Sequence, residues 1–176
     1  MNRVRRDVFT ATAVLAGFSF ALWFLRGQGL RFNVSESEPI GIYWMQSYKG
    51  EALSRSALIE FCPPVKQKDF PFTSAGNCDG GTTPFLKHVI GVPGDRVRVG
   101  KEGVFINEHL ISDSQAMSRA QSSQTTLSRW DGDRVLGNDE YWVYGAGDSK
   151  DSFDSRYFGP VKAGQIISIE LIKRNP

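Results

Sequence analysis

Phe85-Leu86-Lys87-His88-Val89-Ile90-Gly91-Val92-Pro93-Gly94-Asp95-Arg96-Val97-Arg98-Val99 is the stretch on which the fold turns. It opens as a short apolar run, stops at a proline-glycine turn over Val92-Pro93-Gly94-Asp95, and resumes as the alternating run Arg96 to Val99, the pattern of two strands joined by a turn. Successive side chains of a strand point to opposite faces, so Lys87 is expected to share a face with Phe85 and Val89, while His88 shares the other with Leu86 and Ile90. Outward from here the same signal recurs at Ile40 to Ser47, Ala57 to Cys62, Val104 to Ile106, Tyr141 to Tyr144 and Ile166 to Ile172. Ile106-Asn107-Glu108-His109-Leu110 reads as a tight hairpin turn. The expectation is a mainly β domain without internal repeats. Ser112 to Arg129, rich in Ser and Gln, is expected to be a solvated loop or a short polar insertion.

Upstream, Val8 to Leu25 holds 18 residues without a charge, between Arg3, Arg5, Arg6 on one side and Arg26 on the other. As a helix this run reaches about 27 Å, enough for a bilayer core. The leading arginines predict that residues 1–31 form a cytoplasmic tip and a single membrane anchor, leaving residues 32–176 outside as one domain. The alternative is a cleaved secretion signal that leaves a soluble periplasmic domain, although Arg26-Gly27-Gln28-Gly29 lacks the usual small-residue cleavage pattern. The net charge of +2 is a property of this leader: beyond residue 31 there are 16 basic and 18 acidic residues. A nucleic-acid partner is therefore not expected. Cys62 and Cys78, exported to an oxidising compartment, are expected to form a disulfide worth about 3 kcal/mol in the chain-entropy model, with free thiols as the alternative. Without histidines in ligand spacing they make a poor zinc site, and neither a metal nor a cofactor is expected.

The chemistry-bearing candidates lie in three segments. A lysine inside an apolar strand escapes the cost of a buried charge by losing its proton, and a neutral amine near neutral pH is a competent base for a serine hydroxyl. On an edge, the same Lys87 would merely extend its ammonium into water. Asn33-Val34-Ser35-Glu36-Ser37-Glu38-Pro39-Ile40-Gly41-Ile42-Tyr43 places two serines directly after the anchor. If Ser37 attacks a carbonyl, its own N–H and the Ser35 hydroxyl can hold the oxyanion; taken alone, the segment is an ordinary turn. In Gly147-Asp148-Ser149-Lys150-Asp151-Ser152-Phe153-Asp154-Ser155-Arg156, Ser152 can orient the Lys87 amine and Asp154 can pair with Arg156.

In order and spacing, these three segments resemble the signal peptidase I family of serine-lysine peptidases over most of the chain. Ser35-x-Ser37-x-Pro39 is similar to that family's nucleophile segment. Lys87 to Asp95 is similar to its Lys-Arg-x-x-Gly-x-Pro-Gly-Asp segment, and Gly147 to Arg156 to its Gly-Asp-Asn-x-Asp-Asn-Ser-x-Asp-Ser-Arg box. The resemblance implies a signal-peptidase-type β domain behind one transmembrane helix. It also implies Ser37 as nucleophile, Lys87 as general base, Ser35 as side-chain oxyanion donor, Ser152 as the hydroxyl that orients the lysine, and Asp154 with Arg156 as a bracing pair. The chain departs from the pattern where Glu38-Pro39-Ile40-Gly41-Ile42-Tyr43 replaces a methionine-containing nucleophile turn, at His88, where an arginine is usual, and by one residue fewer before Asp154. These departures, with Cys78 just ahead of the lysine segment, are similar to the conjugal-transfer branch of the family. That branch implies an inner-membrane enzyme with its catalytic domain in the periplasm. It also implies that the enzyme matures a pilin precursor, by cleavage and in some members ring closure, with other conjugation or secretion-system proteins as partners.

Three readings compete with this one. A general type I signal peptidase acting on other exported proteins would use the same residues. A self-cleaving repressor would need a DNA-binding motif where this chain has its hydrophobic segment. A non-catalytic envelope scaffold would need a vestigial dyad, whereas both Ser37 and Lys87 are present.

Overall fold

The computed structural model of the chain describes residues 3–120, 123, 125–145 and 152–171. An N-terminal helix, α1 (Arg3–Gly27), precedes eleven strands: β1 (Leu30–Asn33), β2 (Gly41–Ser47), β3 (Leu58–Phe61), β4 (Phe85–Gly91), β5 (Arg96–Val99), β6 (Val104–Ile106), β7 (His109–Leu110), β8 (Gly132–Val135), β9 (Glu140–Tyr144), β10 (Val161–Lys162) and β11 (Ile166–Glu170). A single helical turn, α2 (Ser155–Phe158), follows β9. The fold is mainly β. From Asp7 to Gly27, α1 is long and apolar enough to cross a membrane, and none of it is buried against the rest of the chain. Its exposed rings and aliphatic groups, Phe9, Val14, Phe18 and Trp23 among them, lie on all sides, so it presents no single apolar face to the β domain.

Seven strands form one sheet in the order β1-β2-β11-β3-β4-β9-β10, and four form a second in the order β7-β6-β5-β8. All ladders are antiparallel. The continuous apolar run of β9 is explained by its place between two cores. Tyr141 and Val143 belong to one core with Ile59, Phe61 and Val89, whereas Trp142 belongs to the other with Val97, Val104 and Leu136. A strand covered on both faces has no alternating pattern to show.

The turn on which the sequence reading rested is present. The Asp95 amide donates to the Val92 carbonyl at 3.0 Å, and Gly94 takes a φ of +88°, the left-handed value that a type II turn requires. Asn107 and Glu108, at φ +49° and +66°, form the two-residue turn between β6 and β7, and two positive φ values match the twist of a hairpin. The polar stretch 112–129 is less detached than its composition suggests. Ser114 is buried, with its hydroxyl accepting from Val104 N at 2.8 Å, and Leu127 is buried as well. The Tyr157 hydroxyl accepts from Met117 N at 2.9 Å. Polar side chains can secure a segment to the body by hydrogen bonds without producing apolar periodicity. Strand β8 was invisible in the sequence because Gly132-Asp133-Arg134-Val135 is an exposed edge strand, held by pairing with β5 and by Arg96 gripping Asp133 at 2.8 and 2.9 Å.

Candidate active site

The edge strand β1 and its neighbour β2 are joined by a turn carrying Ser35 and Ser37. Asn33 organises that turn: its side-chain amide donates to the carbonyls of Ser35 (2.8 Å), Glu38 (2.9 Å) and Pro39 (3.1 Å), while its Oδ1 accepts from Ser35 N at 3.1 Å. The Tyr43 hydroxyl closes the far side with a 2.6 Å bond to Pro39 O. One asparagine thus replaces the hydrogen bonds that the turn's backbone cannot make for itself. Ser37 is half-buried, and its hydroxyl lies 2.9 Å from that of Ser35; Ser37 N points at Ser35 Oγ at 3.4 Å. The two groups proposed from the sequence to hold an oxyanion therefore lie against each other, next to the Ser37 hydroxyl.

Lys87 lies in the middle of β4, opposite Ile59 of β3, and is only 5% exposed. Its Nζ meets Ser37 Oγ at 2.5 Å. Burial is the largest influence on this amine and pushes its pKa below the ordinary lysine value. Asp154 and Glu38 pull it back toward the charged form, and Arg156 assists burial. Desolvation wins because the face of β4 that carries Lys87 also carries Val89 and packs into the first core. His88, on the opposite face, does not approach Ser37. Its Nδ1 lies 2.9 Å from Oε2 of Glu38, a carboxylate only 1% exposed. The residues following Ser37 and Lys87 are thus joined to each other as Ser37 and Lys87 are.

Asp154 and Arg156 are both fully buried. Arg156 donates from Nε to Asp154 Oδ1 at 2.8 Å and from Nη2 to Oδ2 at 2.9 Å, with further bonds to the carbonyls of Ser152 (2.8 Å) and Gln115 (3.2 Å). Asp154 also accepts from Gly145 N at 3.2 Å, so the ion pair fastens the end of β9 to α2. Ser152 is buried, but its hydroxyl has no hydrogen-bond partner among the described residues. The expected bond to Lys87 is absent, and the hydroxyl lies against Gly145 instead. A Cβ on Gly145 would stand 2.2 Å from Ser152 Oγ and 2.8 Å from Ser37 O. Gly147 to Asp151, the first half of the third motif, lies outside the described residues.

Ser35, Ser37 and Lys87 open onto a cleft of about 620 Å³ whose other walls include Phe72, Thr73, Phe85 and Phe153, with Arg26 at the end of α1 on its rim. Cys62 and Cys78 are joined by a disulfide. Among the described residues no cluster of side chains is suited to hold a metal ion. The arrangement offers a hydroxyl in contact with a buried amine, a second hydroxyl and a backbone N–H next to it, and an open cleft beside them. It is suited to acyl transfer through serine.

The sequence reading did not assign Asn33, Tyr43, Gly145 or the Glu38–His88 pair. Asn33 has a recognisable signal, an Asn two residues before a serine that starts a turn. Gly145, directly after a strand, signals close approach of another segment. The Glu38–His88 contact joins positions 50 apart and has no local signature.

Residues 5–172 match the family model for signal peptidase, peptidase S26. A plasmid transfer protein TraF of Escherichia coli is 33% identical over 177 residues, covering 96% of each chain. A second Escherichia coli protein of that name is 32% identical over 90% of this chain and 87% of its own. A probable conjugal transfer protein TraF of Sinorhizobium fredii is 30% identical over 91% and 83%. The crystal structure of a signal peptidase I from Enterococcus faecalis is 22% identical, with a TM-score of 0.38 over 66% of this chain and 94% of that one.

Proposed function

The chain belongs to the signal peptidase, peptidase S26, family and is a serine peptidase; from that premise we propose that Ser37 is its nucleophile and Lys87 its general base. The observation that carries this reading is the 2.5 Å contact between Ser37 Oγ and a lysine amine whose pKa burial holds down. The neutral amine takes the Ser37 proton as Oγ attacks the scissile carbonyl. The resulting oxyanion is held by Ser37 N–H and the Ser35 hydroxyl, both of which turn from each other to the new charge. The tetrahedral intermediate collapses, the Lys87 ammonium gives its proton to the departing amine, and the acyl group remains as an ester on Ser37. Water, deprotonated by Lys87, then releases the acid. An amine held near the ester replaces water where its effective concentration is high, giving a new amide and, within one substrate chain, a ring. Asp154 and Arg156 hold the segment behind Lys87, and Ser152 serves as a small buried spacer against Gly145 that can turn its hydroxyl toward the lysine.

The substrate in this reading is an exported precursor, foremost a conjugative pilin subunit, and the role is in plasmid conjugal transfer. The names of the TraF relatives support it. α1 then anchors the protein in the inner membrane with residues 1–31 as tip and anchor, Arg3, Arg5 and Arg6 cytoplasmic and residues 32–176 periplasmic. In this reading the cleft, which Arg26 at the end of α1 helps to line, faces the membrane from which the precursor emerges.

Co-expression of a pilin precursor with wild type, Ser37→Ala and Lys87→Ala, read by intact mass, tests the reading. Wild type is expected to process the precursor and both variants to leave it intact. Ring closure registers as the loss of one further water. A Lys87→Ala variant that still cleaves refutes the dyad.

A further inference from the structure

The connection from β3 to β4 runs from Cys62 to Pro84 with little regular structure: a short helical turn at Gln67–Asp69 and an isolated bridge between Ala75 and Thr82. Such a connection is long for two adjacent strands paired at Phe61 and Phe85. Left to itself it would sample many conformations. Yet its middle forms a wall of the cleft into which Ser37 and Lys87 open, through Phe72, Thr73 and Ser74.

What holds that wall is specific. The disulfide returns Cys78 to Cys62, the residue that leaves β3, and so closes the loop around Phe72. Inside the closed loop, Thr73 is buried and its hydroxyl donates to Phe70 O at 2.7 Å. The Phe72 ring stands edge-on to Phe153 at 5.2 Å and to Phe70 at 6.0 Å. Phe153 in turn meets Phe85, two residues before Lys87, at 6.3 Å. Three aromatic rings from three separate segments thus converge on the cleft: Phe85 belongs to β4, Phe153 directly precedes the residue that caps α2, and Phe72 lies in the middle of the long connection.

We propose that the disulfide-closed loop 62–78 is a specificity-determining wall of the peptidase cleft, with Phe72 as its substrate-contacting residue and the Cys62–Cys78 bond as the positioning element that holds it there. The proposal rests on the dyad reading above, which identifies the cleft as the substrate's. Substrate is then recognised fully only by the exported, oxidised enzyme. The reacting atoms, carried by the β1–β2 turn and β4, do not depend on the bond.

The test is steady-state processing of the purified pilin precursor by the full chain in detergent. Wild type is compared with Phe72→Ala, Phe72→Leu and the double variant Cys62→Ser/Cys78→Ser, with Ser37→Ala as the blank. Phe72→Ala and the double variant are expected to raise KM about tenfold while kcat stays within about threefold and the alkaline limb of the kcat profile does not move. Phe72→Leu is expected to recover most of the loss. If the double variant does not fold, as judged by its thermal transition, Phe72→Ala with the disulfide intact decides. A KM within about twofold of wild type in Phe72→Ala, or a loss confined to kcat, overturns the proposal. Retained processing by Ser37→Ala would instead remove the dyad on which the proposal stands.

Discussion

Replacing Arg156 by methionine removes a guanidinium that no solvent reaches and leaves Asp154 without its countercharge. The lost interactions include the two bonds to Asp154, at 2.8 and 2.9 Å, those to the carbonyls of Ser152 and Gln115, and the contacts of the guanidinium with the Tyr144 and Tyr157 rings. Asp154 keeps the amides of Arg156 (3.1 Å) and Gly145 (3.2 Å), so its charge is not wholly abandoned. Breaking a buried pair from one side costs about 3–5 kcal/mol. At about 2–4 °C per kcal/mol for a chain of this size, a cost near 4 kcal/mol lowers Tm by about 8–16 °C. Circular dichroism melts of the detergent-solubilised protein measure it. The double variant Asp154→Asn/Arg156→Met, which strands no charge, is expected to recover about half the loss, because the stranded carboxylate rather than the absent contacts dominates the cost. A Tm shift under about 3 °C in Arg156→Met, or a double variant no more stable than the single one, would refute the reasoning.

Further outcomes follow from the site. Folded Lys87 holds its proton less tightly than the unfolded chain does, so stability should rise with pH between the lowered folded value and the ordinary lysine value of about 10.4; urea midpoints across that range should show a rise that Lys87→Met lacks, and equal profiles would contradict it. Activity should likewise climb toward alkaline pH as Lys87 loses its proton, and a flat profile from about pH 6 to 9 would count against the dyad. Gly145→Ala places a Cβ 2.8 Å from Ser37 O and should lower kcat at least about thirtyfold, whereas Gly94→Ala meets no neighbouring atom and should cost only the strain of its positive φ, about 1–2 kcal/mol in a melt, and leave the rate unchanged. Asn33→Ala removes the bonds organising the Ser35–Ser37 turn and should reduce kcat far more than it raises KM; an unchanged kcat would show that Asn33 does not support the nucleophile.

The sequence by itself determined the β character, the Pro93-Gly94 turn and the apolar N-terminal helix, because each is written in local periodicity or turn chemistry; the three candidate site segments were legible only together, through their resemblance to a known family. It also carried the expectation of a Cys62–Cys78 bond, which is present. Edge strands β1, β8 and β10 escaped it: β1 and β10 are four and two residues long, too short to show a period, and β8 keeps three of its four side chains exposed. Only the tertiary structure decided how the segments meet. That Ser37 reaches the amine of Lys87 depends on β4 being threaded between β3 and β9. That Asp154 and Arg156 are dry, that the Ser152 hydroxyl lies against Gly145 without a hydrogen-bond partner among the described residues, and that Glu38 meets His88 are facts of tertiary packing. The energy of a buried charge or an unpaired hydroxyl is set by what surrounds it in space, and a sequence states only what surrounds it along the backbone.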